Sequence, residues 1–187
     1  PVPEGSIGDA DPSGADQAED TFAIPDGITA FARKVIVSPS LVSSTGLTDL
    51  DTWPDEALLM GNVIEISFRD GVTITPGQTI TVRAGQTMTV SNGTLSGGTN
   101  TLFNVLDGGH LTLNNVTITG NTVGDQGAVC VQSGALLDLG HNDKNPSITP
   151  QISGNTKDGN ARNLVVSDGA RVRLNAKPAN PIGISHT

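Results

Sequence analysis

One short pattern returns five times along this chain: an apolar residue, any residue, a second apolar residue, two more residues and a glycine. After four of the five glycines, another apolar pair stands at the third and fifth positions. The five glycines are Gly71, Gly85, Gly108, Gly134 and Gly169. Alternating apolar residues predict strands with one buried face, and the glycine predicts a corner. Strand–turn–strand units returning in this way indicate a solenoid in which each repeat is one coil.

The second and third repeats align without a gap, because residues 90–98 overlay residues 113–121 and each segment then reaches the next apolar pair. This alignment predicts three short strands in each coil, separated by corners. The glycines are 14, 23, 26 and 35 residues apart. The first interval is too short for a full three-sided coil and predicts a partial one. The last contains an insertion at residues 140–147, which predicts a loop on one face.

The segments GGHLTLNNVTITGN (residues 108–121) and NLVVSDG (residues 163–169) resemble coils of pectin-lyase-like β-helices, most of all those of bacterial cell-surface adhesins. The resemblance covers roughly residues 63–187. It implies an all-β fold, a right-handed, single-stranded parallel β-helix with three sides. The aligned pair Asn92 and Asn115 resembles the asparagine ladder that such helices carry at one corner, where asparagine tolerates a left-handed conformation.

The sequence predicts that the chain is divided into three segments. Residues 1–20 carry six acids and no base, and are predicted to be a disordered acidic leader. Residues 21–61 are predicted to form an N-terminal cap with a short helix, which would cover strand edges at one end of the solenoid. Residues 62–187 are predicted to form the coils. No capping signal follows Leu174, so we expect either that the chain continues or that a partner covers this end.

Charge and hydropathy exclude some classes of partner. The formal net charge is −9 and no basic patch is evident, which argues against nucleic-acid binding. No apolar run is long enough to span a membrane. Cys130 is the single cysteine and therefore cannot form an internal disulfide.

The acidic leader contains the nearest approach to a metal site. Asp9, Asp11 and Ser13 place oxygens at alternate positions, with Asp20 further on, in imitation of a calcium loop. Pro12 interrupts that loop and no helices flank it. The sequence therefore predicts no cofactor, with calcium at these oxygens as the alternative to a solvated tail.

Enzymes with the pectin-lyase-like fold cleave acidic polysaccharides. A resemblance to these enzymes would imply a cluster of aspartates. The residue before each coil glycine instead mixes Asp with Ala and Ser, so acids in successive coils are not neighbours. We predict no catalytic residues. Whether the chain is an enzyme stays open, although this mixture of Asp, Ala and Ser favours a non-enzymatic protein. The alternative is a polysaccharide lyase or glycoside hydrolase with unfamiliar residues such as Asp138, Asp143, Asp158 and Arg162.

Binding residues are expected where the repeat is interrupted, because loops on a rigid scaffold carry recognition. The candidates are His141, Asn142, Asp143 and Lys144 in one loop, and Lys157, Asp158 and Arg162 in another. The favoured function is an adhesin domain of a secreted or wall-attached bacterial surface protein. Its partners would be a host surface glycan or protein, or adjacent domains of a longer chain. A structural spacer or a phage-type fibre segment is a further alternative.

Overall fold

The computed structural model describes residues 44–140, 150–175 and 180–187. These residues form short β-strands and one turn of 3-10 helix, Glu56–Leu58. The first nine strands are β1 (Ser44–Leu50), β2 (Val63–Phe68), β3 (Thr73–Ile74), β4 (Ile80–Val82), β5 (Thr87–Ser91), β6 (Thr94–Leu95), β7 (Phe103–Val105), β8 (His110–Asn114) and β9 (Thr117–Ile118). The others are β10 (Val129–Val131), β11 (Leu136–Leu139), β12 (Gln151–Ile152), β13 (Thr156–Lys157), β14 (Asn160–Ala161), β15 (Leu164–Val166), β16 (Arg171–Leu174) and β17 (Ile184–His186).

All but two of these strands belong to three parallel sheets. Sheet 1 has the order β1-β2-β5-β8-β11-β16, sheet 2 the order β12-β9-β6-β3, and sheet 3 the order β17-β15-β10-β7-β4. Strands β13 and β14 form a separate antiparallel hairpin. The prediction of an all-β fold built on parallel strands is confirmed.

The chain passes through the three sheets in a fixed order. From β2 to β15 it visits sheets 1, 2 and 3 in four successive circuits, and the hairpin interrupts the fourth. The predicted gap-free alignment is confirmed, because Val90 pairs with Leu113 and Thr94 with Thr117. Each strand therefore lies beside its counterpart from the previous circuit.

Apolar side chains stack in columns that run through the circuits. One column of sheet 1 consists of Ile64, Met88, Leu111, Leu137 and Val172, and a column of sheet 3 consists of Ile80, Phe103, Val129, Leu164 and Ile184. Most of these residues are fully buried. Successive side chains of a strand point to opposite faces, so the alternation in the sequence becomes one continuous core.

A column of glycines forms the corner between sheets 3 and 1. The backbone amides of Gly85, Gly108 and Gly134 each donate to the carbonyl of the next glycine in the column, and Gly169 is the last acceptor. All four glycines have a positive φ, between 71° and 79°. A left-handed conformation favours glycine because it has no Cβ.

Gly71 does not belong to this column. It lies in the corner between β2 and β3, which joins sheet 1 to sheet 2. The first circuit is full length, since Ile64 pairs with Met88, 24 residues later. The expectation of a partial first coil was wrong. Gly71 follows a strand of sheet 1 and the other four glycines follow strands of sheet 3, yet both kinds of strand have the same apolar–glycine pattern.

The segment before β2 covers the edge of sheet 3. Glu56 accepts a hydrogen bond from the backbone amide of Thr81 in β4, at 3.3 Å, and pairs with Arg83 at 2.9 Å. Leu59 is buried in the core. Strand β1, which lies inside the range predicted as the cap, pairs in parallel with β2 and extends sheet 1. The 3-10 turn Glu56–Leu58 lies in the same range.

The columns become exposed at the other end. Leu174 follows Leu139 in a column of sheet 1, and Ile184 follows Leu164 in sheet 3. These last members are 62% and 61% exposed, whereas Leu139 and Leu164 are buried. Leu174 and Ile184 therefore lack the cover that Leu139 and Leu164 receive from a further strand.

Candidate binding site

A β-hairpin interrupts the fourth circuit between sheets 2 and 3. Its turn residues Asp158 and Gly159 both have a positive φ, 49° and 78°. Two successive positive φ values define the tight turn for which Asp-Gly is favoured. The hairpin is held by the preceding circuit, because Val123 donates its backbone amide to the carbonyl of Thr156 at 2.8 Å.

Charged side chains join the hairpin to the loop before β10. Lys157 forms an ion pair with Asp125, and the Nε of Arg162 donates to the backbone carbonyl of Asp125 at 3.0 Å. The hydrogen bond and charge of Lys157 lower the pKa of the Asp125 carboxyl. This carboxylate is largely exposed, so the pair stabilises the local geometry more than the fold as a whole.

A shallow depression of about 320 Å³ lies beside the hairpin. It is lined by Asp125, Lys157, Asp158, Asn160, Ala161 and Arg162. The structure thus brings together the three binding candidates from this loop, Lys157, Asp158 and Arg162. It adds Asp125, which no sequence signal marked. The other four candidates, His141, Asn142, Asp143 and Lys144, lie outside the described residues.

The predicted corner asparagines lie one above the other. Asn115 donates its side-chain amide to Oδ1 of Asn92 at 3.0 Å, and Asn92 donates to Oγ of Ser67 at 3.3 Å. Both asparagines have a positive φ, 54° and 63°. The ladder therefore extends by one serine beyond the two residues found in the sequence.

A second asparagine ladder is buried. Asn121 donates its side-chain amide to Oδ1 of Asn155 at 2.7 Å, and Asn155 donates to Oδ1 of Asn163 at 3.0 Å. Asn155 is fully buried and also donates to the carbonyl of Ile118. This ladder fixes the chain where the hairpin leaves the fourth circuit. Its signal in the sequence is the repeated apolar-Thr/Ser-Gly-Asn element that ends at Asn121 and at Asn155.

Three ionisable side chains meet on the outer face of sheet 1. Arg173 donates from Nε and Nη2 to the two carboxylate oxygens of Asp138, each at 2.6 Å. Nε2 of His110 lies 2.7 Å from Oδ2 of the same carboxylate. Burial opposes the ionisation of Asp138, but the hydrogen bonds from Arg173 and His110 outweigh it, and its pKa is lowered. Asp138 is therefore held as a carboxylate.

We expect replacement of Asp138 by asparagine to remove a pH-dependent contribution to stability. A lowered folded-state pKa stabilises the fold above the unfolded-state pKa, about 4, and this stabilisation is lost as the pH falls through the folded-state pKa. The loss in free energy of unfolding should be about 1–2 kcal/mol at neutral pH and shrink toward about pH 3. Urea unfolding across this pH range measures it.

The matched control is Asp168→Asn, which makes the same change in an exposed pair. The Asp168 side chain is 93% exposed, and its Oδ1 lies 3.0 Å from Nε2 of His186. Exposed pairs contribute little, so this variant should change stability by less than about 0.5 kcal/mol. Equal losses of unfolding free energy in the two variants would contradict the stabilising role of the Asp138 carboxylate. So would a loss for Asp138→Asn that does not change with pH.

A cleft of about 340 Å³ shares Asp125 and Arg162 with the depression beside the hairpin and has Cys130 and Gln132 in its wall. Cys130 is buried, and burial raises the pKa of its thiol. The thiolate is the nucleophilic form, so this environment reduces the reactivity of the side chain.

The leader residues Asp9, Asp11, Ser13 and Asp20, at which calcium is the predicted alternative, lie outside the described residues. Within residues 44–140, 150–175 and 180–187, no three side chains of His, Cys, Asp or Glu converge as a metal site would require. No helix in the same ranges is long and apolar enough to cross a membrane.

Comparison with known proteins gives no match. Neither the family models, nor the curated proteins, nor the solved structures include one that matches this chain significantly. Its function is therefore inferred from its own residues.

Proposed function

We propose that this chain is a right-handed, three-sided parallel β-helix. The support is the fixed order of sheets 1, 2 and 3 through four circuits, with parallel pairing in register. Connections between parallel strands of one sheet are almost always right-handed, because a right-twisted strand returns to its sheet most easily that way. The resemblance of residues 108–121 to pectin-lyase-like coils supports the same architecture.

We further propose that it is a recognition domain of a secreted or wall-attached bacterial surface protein. Its ligand would be a host surface glycan or protein, and neighbouring domains of a longer chain would be its other partners. The observation that carries this proposal is the Asp158–Gly159 hairpin, which gathers Lys157, Arg162 and Asp125 around an open depression. A polar, open surface on a rigid scaffold suits the binding of a large partner.

The environment of Asp138 weighs against the alternative of a polysaccharide lyase or hydrolase. A general acid needs a raised pKa, whereas Arg173 and His110 lower that of Asp138. Asp138 lies on sheet 1, while Asp158 lies in the hairpin between sheets 2 and 3. These two carboxylates therefore belong to separate parts of the surface, whereas a glycosidase needs its pair flanking one bond.

Screening on glycan and matrix-protein arrays tests the proposal. We expect at least one host glycan or matrix protein to bind. The double substitution Lys157→Glu and Arg162→Glu should weaken this binding about tenfold or more, because it reverses both cationic side chains beside the depression.

The control is Arg171→Glu, which reverses an exposed arginine on β16, away from the hairpin. Binding that falls equally in the control would reflect net charge and remove the hairpin as the site. Depolymerisation of an acidic polysaccharide, with no binding on either array, would establish the enzyme instead.

A further inference from the structure

Trp53 lines a second cleft, on the segment that covers the edge of sheet 3. The cleft has a volume of about 390 Å³ and is lined by Trp53, Pro54, Asp55, Thr75, Gly77 and Gln78. None of these residues belongs to the hairpin site.

The position of the indole ring is firmly set. Its centroid lies 6.2 Å from that of Phe68, with the rings 11° from parallel, and 5.5 Å from that of Phe103. Its Nε1 donates to the backbone carbonyl of Gln78 at 2.8 Å. An aromatic wall fixed in this way loses little conformational entropy when a ligand binds.

Gly77 keeps the cleft open beside the indole. A Cβ built on Gly77 would meet a single neighbour within 4 Å, the Cδ1 of Trp53 at 3.9 Å. Gly77 does not have a positive φ, so its backbone does not require glycine. A side chain at this position would therefore fill the cleft without straining the chain.

The polar groups of the cleft suit hydroxyl groups. Asp55 accepts from the backbone amide of Ala57 at 3.0 Å and from the side-chain amide of Gln78 at 3.4 Å. Thr75 and Gln78 are exposed and can both donate and accept. An apolar aromatic wall with a few convergent polar groups is the usual make-up of a small-ligand site.

We propose that the Trp53 cleft is a binding site for a neutral saccharide. The C–H face of a sugar ring would pack against the indole, and its hydroxyls would donate to Asp55 and exchange hydrogen bonds with Thr75 and Gln78. The carboxylate of Asp55 disfavours an acidic sugar at this position. The site is separate from the hairpin and does not depend on the function proposed for it.

The single tryptophan of the chain provides the readout. Cellotriose, maltotriose, mannotriose and N,N′,N″-triacetylchitotriose are titrated as neutral probes, and trigalacturonate as the acidic one, while Trp53 fluorescence is followed. We expect at least one neutral trisaccharide to give a saturable change. Gly77→Val should weaken its binding about tenfold or more, because the new side chain occupies the space beside the indole.

Gly46→Val is the matched control, since Gly46 lies in β1 with no atom within 4 Å of its Cβ position and no positive φ. It should bind as the parent does, and so should the Lys157→Glu/Arg162→Glu variant. Urea unfolding verifies that each variant folds.

The proposal is overturned if no neutral trisaccharide gives a saturable change. It is also overturned if Gly77→Val binds as tightly as the parent, or if trigalacturonate alone binds. These outcomes leave the hairpin untouched, because its test depends on Lys157 and Arg162. Conversely, a Lys157→Glu/Arg162→Glu variant that loses array binding but still binds the neutral trisaccharide would show that the two sites act independently.

Discussion

Replacement of Leu139 by alanine is expected to lower the free energy of unfolding by about 2–5 kcal/mol. Leu139 is 1% exposed and lies in β11, with Leu113 on one side and Leu174 on the other. Its truncation leaves a cavity between strands that are held in place by parallel hydrogen bonds. The surrounding columns have little freedom to collapse into that space. Urea unfolding followed by circular dichroism gives the change.

Leu174→Ala is the matched control, because it makes the same change in the same column. Leu174 is 62% exposed, so we expect its truncation to cost less than about 1 kcal/mol. The difference between the two variants measures the contribution of a second neighbouring strand. Equal losses would show that Leu174 is as well packed in solution as Leu139, which contradicts its exposure here.

Replacement of Asn155 by alanine is expected to cost about 2–4 kcal/mol, through lost hydrogen bonds and a small cavity. The backbone amide of Asn121 loses its acceptor, the Oδ1 of Asn155, and Asn163 loses one of its donors. A buried donor without a partner costs more than the hydrogen bond itself contributes to stability. Chemical unfolding gives the free energy, and hydrogen exchange of the Asn121 amide locates the effect.

Asn155→Asp tests the hydrogen bonds apart from volume. The substituted carboxyl group is nearly the same size but, when ionised, it offers only acceptors to the carbonyl of Ile118 and to Oδ1 of Asn163. We expect this variant to be destabilised at least as strongly as the alanine variant. Asn115→Gly is the control, since it removes an exposed ladder residue at a positive φ and should cost less than about 1 kcal/mol. A mild effect of Asn155→Asp would show that packing alone makes the residue important.

Part of this structure could be predicted because parallel stacking repeats one local pattern. Val90 and Leu113 align in the sequence and pair in the sheet, since each circuit places equivalent residues side by side. The corner asparagines followed from the same alignment. The pattern failed at Gly71, where a different corner has the same local chemistry. The spacing of the glycines alone does not show which corner of the coil a glycine occupies. That requires knowing which strand of the neighbouring circuit pairs with the strand beside it.

The candidate sites were less accessible to such reasoning. Lys157, Asp158 and Arg162 were found because an interruption of the repeat marks a loop. Their partner Asp125 stands more than 30 residues earlier, in a loop without a distinctive pattern. The Trp53 cleft likewise combines the segment before β2 with residues before β4, which only the packing of Trp53 on Phe68 and Phe103 brings together.

The sequence by itself determined the repeating unit: the alternation of apolar residues, the glycine corners and the aligned asparagines. These are properties of local backbone preference and of side-chain period, which act within a few residues. The tertiary structure decided that three ionisable groups meet at Asp138. Asp138 and Arg173 each stand four residues after a corner glycine, so the repeat aligns them, whereas His110 stands only two residues after its own. The imidazole of His110 nevertheless contacts the Asp138 carboxylate, 28 residues away in the chain, across a diagonal of sheet 1. Such a contact depends on how side chains of neighbouring circuits pack, which an alignment of the repeats does not contain.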